Sequence, residues 1–374
     1  MEKEKNSFLK FLALVPAIIL IAGCGRTGET AVLHSDGDTI PMYHARNLNL
    51  IQHPDYTEAI IRNPWDTTQI LHHYILVDNN HKAEATAGAT LVKVPLKRTA
   101  VFTSVHCALL QELDCQEAIA GICEIKYINI PYIQEAVQQG RIIDLGNGMA
   151  PDMERIIDLQ PDALMPSAFE NNSGYGRLER LGIPIIECAE YMEVSPLAQA
   201  EWMKFYGRLF GKEKEADSLF AAVERRYEHL KAQVKTVKRK PKVMYELPQS
   251  GKWFVAAGQS TLGQLYQDAG ADYLFSHIPG TGSSAQSIEQ VMAKALDADL
   301  WMIKHYGKTT RQQLVKDQPG LNRIKAQMWV CDTQNSKYYE ETPFHPEWLL
   351  GDFIRIFHPS LDIKTDKTYY SPIE

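Results

Sequence analysis

Glu154 and Glu289 occupy equivalent places in two copies of one short pattern. In "PDMERIIDLQPDALM" (151–165) and "SIEQVMAKALDADLWMI" (287–303) an amphipathic helical stretch with an acid near its start runs into a short apolar strand. The second acid follows the first by 135 residues. The repetition implies two similar lobes, each presenting one carboxylate to a two-fold symmetric partner. Each glutamate taken alone also fits a simpler role, because an acid in the first turn complements the helix macrodipole.

A second group of chemistry-bearing residues lies in loops that follow strand-like runs. In the first half these are "EIKYINIPY" (124–132), "GNGMAP" (146–151) and "SAFENNSGYG" (167–176). In the second half they are "LPQSGKW" (247–253), "HIPGTGSSAQ" (277–286), "KHYGKTT" (304–310) and "TQNSKYYEETPFH" (333–345). They carry Tyr127, Phe169, Tyr175, Trp253, His305, Tyr306, Tyr338 and Tyr339, interleaved with Lys126, Asn171 and Lys304. Open α/β sheets bind ligands at the carboxyl ends of their strands, and aromatic faces with a few polar groups suit a bulky, partly apolar chelate or macrocycle. For any single aromatic, covering a lobe core is an equally good reading.

Other chemistries fit less well. "GQSTL" lacks the last glycine of a nucleophile elbow, HExxH is absent, and "GTGSS" lacks the Lys-Ser/Thr ending of a phosphate loop. Of twelve histidines only His72 and His73 are adjacent, and none form a ligand-spaced pair on a helix. A binding protein without catalytic residues, resident metal or cofactor is therefore expected. His305 and His345 could ligate the metal of a haem or corrinoid, although a lone loop histidine is more often structural or solvated. A net charge of −7 argues against nucleic acid as a partner, since phosphate tracking needs clustered Lys and Arg.

The amino-terminal residues speak to location. Lys3, Lys5 and Lys10 precede the apolar run "FLALVPAIILIA" (11–22), too short to span a bilayer but suited to a signal-peptide core. Ile21-Ala22-Gly23-Cys24 resembles a bacterial lipobox, which implies a signal peptide over 1–23 and lipidation of Cys24, the sole membrane contact. An ordinary secretory signal is the alternative. Residues 24–40 then form a tether, and the expected location is the cell envelope, on the periplasmic side of the cytoplasmic membrane. The other five cysteines are odd in number and lack CxxC spacing, so they read as buried small hydrophobes.

The elements that position these groups follow from periodicity. Residues 41–96 read as β-rich, with "NLNLIQH", "TEAIIRN" and "QILHHYILV" separated by turn signals. From 97 onward short apolar strands ("RTAVFT", "AIAGIC", "DALMPS") alternate with helices ("VHCALLQEL", "IPYIQEAVQQG"), which implies α/β layers with parallel pairing. A long helical signal over 196–234 is interrupted by Gly211 and continues as a helix near 212–234. The α/β texture restarts at "KVMYEL" and closes with "HPEWLLGDFIRIFHP". The reading is an N-terminal lobe over 41–200 with its additional β-rich segment at 41–96, a helical connection over 201–240, and a C-terminal lobe over 241–374.

Over about 97–360 the chain resembles the lipid-anchored substrate-binding proteins of ABC importers for iron complexes and cobalamin. The resemblance rests on the order and spacing of "MERIIDLQPDALM", "RLERLGIPII", "FYGRLFGKEKEADSLF", "LGQLYQDAGADYLF", "SIEQVM" and "FHPEWLLGDFIRIFHP". It implies two α/β lobes with central sheets joined by a single long backbone helix, and small closure on binding. It also implies capture of a ferric siderophore in the interlobe cleft, with cobalamin or haem as alternatives. Glu154 and Glu289 match the acids that dock onto arginines of a permease homodimer served by its ATPase. From another class, an envelope metal chaperone or surface scavenger working without a permease is the alternative. The additional segment at 41–96 departs from the family pattern.

Overall fold

The computed structural model describes residues 37–374 except 79–80, 82–86, 170–174 and 317. The expected signal peptide, Cys24 and residues 24–36 of the tether lie outside the described residues. Among those described, no helix is long and apolar enough to cross a membrane.

Alternation sets the first layer. In "LNLIQ" Leu48 and Leu50 are buried and Asn49 is exposed, while Ile51 on the Asn49 face is buried too, so the second face is partly covered. Five strands, β1 (Asp38–Ile40), β2 (Leu48–Gln52), β3 (Tyr56–Arg62), β4 (Ile70–Asp78) and β5 (Thr90–Val94), form one sheet in chain order. All junctions are antiparallel except β4 with β5. The β-rich segment is thus a sheet of its own, with two strands, β1 and β5, beyond the three expected.

The first lobe contains β6 (Thr99–Val101), α1 (Ser104–Glu112), β7 (Ile119–Ile122), α2 (Pro131–Gln138), β8 (Ile143–Asp144), a hairpin of β9 (Gly146–Asn147) with β10 (Ala150–Pro151), α3 (Met153–Leu159) and β11 (Ala163–Met165). Its sheet is parallel, in the order β11-β6-β7-β8. The segment at 185–188 continues it through bridges to Leu164 and Ser167.

The connection is three helices: α4 (Pro196–Glu201), α5 (Met203–Leu209) and α6 (Glu213–Gln233). Gly211 makes the turn into α6 with φ of +68°. Gly207 is required for a different reason, since an added Cβ would stand 2.5 Å from that of Ala216 where α5 and α6 meet. At 21 residues, α6 is about 32 Å long.

The second lobe contains β12 (Lys242–Tyr245), β13 (Trp253–Ala256), α7 (Thr261–Asp268), β14 (Asp272–Tyr273), β15 (Ser283–Gln286), α8 (Ile288–Ala295), β16 (Leu300–His305), α9 (Arg311–Val315), β17 (Gln327–Asp332), α10 (Tyr338–Glu341), α11 (Pro346–Phe357) and β18 (Tyr370–Ile373). The sheet order is β14-β12-β16-β17-β18, parallel except for the last strand. A two-stranded pair (β9 with β10, β13 with β15) precedes the acid-bearing helix in each lobe.

Buried carboxylates fasten the N-terminal sheet to the connection. Glu201, fully buried, accepts backbone N–H bonds from Tyr43, His44 and Ala45 at 2.8–2.9 Å and faces Lys204 Nζ at 2.9 Å. Burial opposes its charge, but these donors outweigh burial and hold its pKa below the usual value. Glu193 accepts from Arg46 N, Asn47 N and Trp202 Nε1. Tyr74 of β4 donates to Ile185 O at 2.9 Å and accepts from Glu187 N at 2.8 Å. Glu201→Ala leaves three N–H groups without their acceptor and the buried Lys204 ammonium without its counter-charge, its remaining hydrogen bond being to Pro41 O at 3.0 Å, so it should destabilise the chain by about 3–5 kcal/mol in urea unfolding. A loss within 0.5 kcal/mol, the range of ordinary surface substitutions, would contradict this anchoring.

His345 bridges the lobes. At the start of α11 its Nε2 meets Glu112 Oε2 of α1 at 2.7 Å, its Nδ1 meets Glu347 at 2.8 Å, and its ring stacks on Trp348. Burial works against the imidazolium, but the two carboxylates outweigh it and raise the pKa from 6.5 to about 9. A folded pKa above the unfolded one stabilises fully below the unfolded value and ceases to stabilise as pH rises through the folded one. The stability difference between the native chain and His345→Gln should therefore be greatest below pH 6.5 and vanish above about 9. A difference independent of pH across that window would contradict the bridge.

Candidate functional site

The loops at the carboxyl ends of the two parallel sheets face each other. Ser104 follows β6, and Lys126, Tyr127 and Asn129 follow β7. His305 ends β16 and Tyr306 follows it, while Thr333, Tyr339 and Glu340 follow β17. Together they line an interlobe cleft of about 520 Å³. A second depression of about 350 Å³ shares Lys304 with it and adds Tyr191 and Gln199 of the first lobe side, and Tyr245 and Tyr338 of the second. Asn129 Nδ2 donates to Gln334 O across the lobes.

Lys304 organises the second-lobe wall. Its ammonium stands 5.4–5.6 Å from the ring centroids of Tyr245, Tyr338 and Tyr339, and 3.8 Å from Glu246 Oε1. On the opposite wall Lys126 lies 4.6 Å from the Tyr127 ring. Tyr127, Tyr306 and Tyr339 each expose about half of their surface. Burial raises the pKa of Glu246, Glu340 and Tyr339. Two ammonium groups, Lys126 and Lys304, thus stand among several phenols at the space, with the Glu340 carboxyl on the same lining. That combination suits an anionic, partly aromatic guest.

The His305 imidazole has a defined tautomer. Its Nδ1 contacts Gly307 O at 2.9 Å, and a carbonyl can only accept, so Nδ1 carries a proton and the lone pair of the neutral ring is on Nε2. His345 differs, because both of its nitrogens are occupied by Glu112 and Glu347. The reading of His345 as an axial ligand is therefore corrected.

Of the eight expected cleft residues, Tyr127, His305, Tyr306 and Tyr339 line the cleft and Tyr338 lines the adjoining depression. Three lie elsewhere. Trp253 is fully buried, with Nε1 donating to Tyr245 O at 3.0 Å, because strand alternation turns it inward and leaves Phe254 outside. Phe169 and Tyr175 line a separate cavity against the N-terminal sheet, which meets the lobe through the 185–188 segment beside their strand. Tyr191, Tyr245 and Glu340 also line these spaces and carry no signal in the sequence; Tyr245 reads as an ordinary strand end.

Glu154 and Glu289 are both exposed, and each is the second residue of its helix. Asp152 caps α3 through Glu154 N and Arg155 N, and Ser287 caps α8 in a capping box with Gln290. The cysteines within the described residues are free thiols, and four of the five are buried.

Comparison with known proteins bears on the same region. The sequence profile of the family described as periplasmic binding protein matches residues 100–327. An uncharacterized lipoprotein of Methanocaldococcus jannaschii is 22% identical, with 96% of each chain covered. A periplasmic heme binding protein from Pseudomonas aeruginosa shares the fold with a TM-score of 0.57 at 18% identity, over 75% of this chain and 98% of that one. A possible iron-binding (periplasmic solute-binding) protein from Staphylococcus epidermidis does so at 0.56 and 16%, over 71% and 99%. With the profile running through the first lobe, the connecting helices and most of the second lobe, the chain belongs to the periplasmic binding protein family.

Proposed function

We propose that this protein is the lipid-anchored solute-binding component of an ABC import system, which captures a ferric siderophore between its lobes and passes it to the permease. The observation that carries this reading is the cleft itself: Lys126, Tyr127, Lys304, Tyr306 and Tyr339 converge from the carboxyl ends of both sheets on about 520 Å³. Two ammonium groups among phenolic rings favour an anionic ferric chelate over a neutral one. The solved relatives described as binding iron or heme support the ligand class, and the M. jannaschii relative described as a lipoprotein supports an anchor at Cys24.

A cobalamin or haem ligand is the second reading, favoured by the lone pair on His305 Nε2 within the same cleft. It keeps the transport role and changes the cargo.

Transfer would proceed through Glu154 and Glu289. Exposed ion pairs contribute about 0–1 kcal/mol each, so their value lies in register. Two carboxylates fixed on separate lobes by one stiff helix select a single docking pose on a two-fold partner. The alternative, a chaperone or scavenger without a permease, would not need both.

One experiment addresses cargo and docking together. The purified chain is titrated with ferric hydroxamate, ferric catecholate, haem and cobalamin by tryptophan quenching, and permease-stimulated ATP hydrolysis is then measured with the bound form. One ligand should saturate at sub-micromolar concentration. Combined Glu154→Ala and Glu289→Ala should keep that affinity and reduce stimulation to the basal rate. Absence of binding by all four ligands would contradict the transport reading, and unchanged stimulation would contradict the docking role.

A further inference from the structure

The N-terminal sheet and the first lobe border a half-open cavity of about 830 Å³, larger than the interlobe cleft. Trp65 and His72 reach it from the sheet, and Phe169, Tyr175, Glu179 and Glu187 from the lobe. Its volume falls within the range of sites that hold small organic molecules.

The lining has a definite sign. Three carboxylates, Asp66, Glu179 and Glu187, face the space, and no Lys or Arg lines it among the described residues. Glu187 is only 7% exposed. Its Oε2 accepts from the Tyr175 hydroxyl. Its Oε1 has His72 Nδ1 at 3.8 Å, beyond hydrogen-bond reach. The other nitrogen of His72 is held by Thr90 Oγ1 at 2.8 Å, and its ring is stacked on Tyr74, which fixes the ring in place. A carboxylate oxygen that borders a recess lined by aromatic rings favours a guest that brings positive charge to it.

The aromatic residues point to the same class of guest. Phe169 is 41% exposed, and with Trp65 it offers an apolar surface that nothing in the described chain covers completely. Aromatic faces beside carboxylates attract cations with an apolar body. A bare metal ion fits poorly, because the described residues contain no group of three or more His, Cys, Asp or Glu placed to hold one.

We propose that this cavity is a second ligand site, separate from the interlobe cleft, for a small organic cation such as a quaternary or protonated amine. Its charge faces Glu187 Oε1 within the field of Asp66 and Glu179, and its apolar part rests against Trp65 and Phe169. The additional sheet thereby supplies half of a binding site that the two lobes alone do not possess.

The test is calorimetric titration of the purified chain with benzyltrimethylammonium, with benzoate as the anion of similar size. The cation should bind saturably and benzoate should not. Trp65→Ala and Glu179→Gln, each checked for native circular dichroism, should each weaken cation binding about tenfold. Both variants should leave affinity for the cleft ligand unchanged, which separates this result from the transport reading. Absence of saturable cation binding, or equal affinity in both variants and the native chain, would overturn the proposal.

Discussion

The buried stripe of α6 sets the relation between the lobes. Ala216, Phe220, Val223, Tyr227 and Leu230 recur at alternating spacings of four and three, so they lie on one face, which packs on α5 and α11. Burying the four larger side chains contributes on the order of 10 kcal/mol, an upper figure because the unfolded chain already hides part of that surface. Polar contacts secure the far end, where Asp268 of α7 accepts from Tyr227 at 2.8 Å and pairs with Lys231 at 3.0 Å. A helix held along its length resists bending, so the lobes it joins keep nearly constant separation.

The cleft inherits that constraint. Loops on two sheets face each other across a spacing that their own residues do not determine, and those residues supply the chemistry. Asn129 to Gln334 and His345 to Glu112 are further bridges between the lobes. Small closure on binding follows, since a wide swing would break both bridges and strain the α6 packing. The same constraint gives Glu154 and Glu289 a fixed separation.

The parts legible in the sequence were those governed by local periodicity. The spacing of Phe220, Val223, Tyr227 and Leu230 identified α6 within a residue at each end. His305 ends a strand, Tyr306 follows it, and Tyr127 and Tyr339 lie within seven residues of a strand's end, so knowing the strand places them at a sheet's carboxyl end. Trp253 was misread because its position depends on which way one short strand faces. The place of Phe169 and Tyr175 is not legible, because the packing of the N-terminal sheet against the first lobe is a tertiary matter. Glu193 and Glu201 gave no signal at all. Their partners are backbone N–H groups about 150 residues earlier, which no side-chain pattern records.

A ligand held between the facing loops of the two lobes would shield those loops from solvent. Hydrogen–deuterium exchange with and without the cleft ligand tests this placement most directly. Protection should concentrate in 124–132, 304–310 and 333–341, with little change across α6. Protection confined to the N-terminal sheet, or spread evenly over one lobe, would contradict the account.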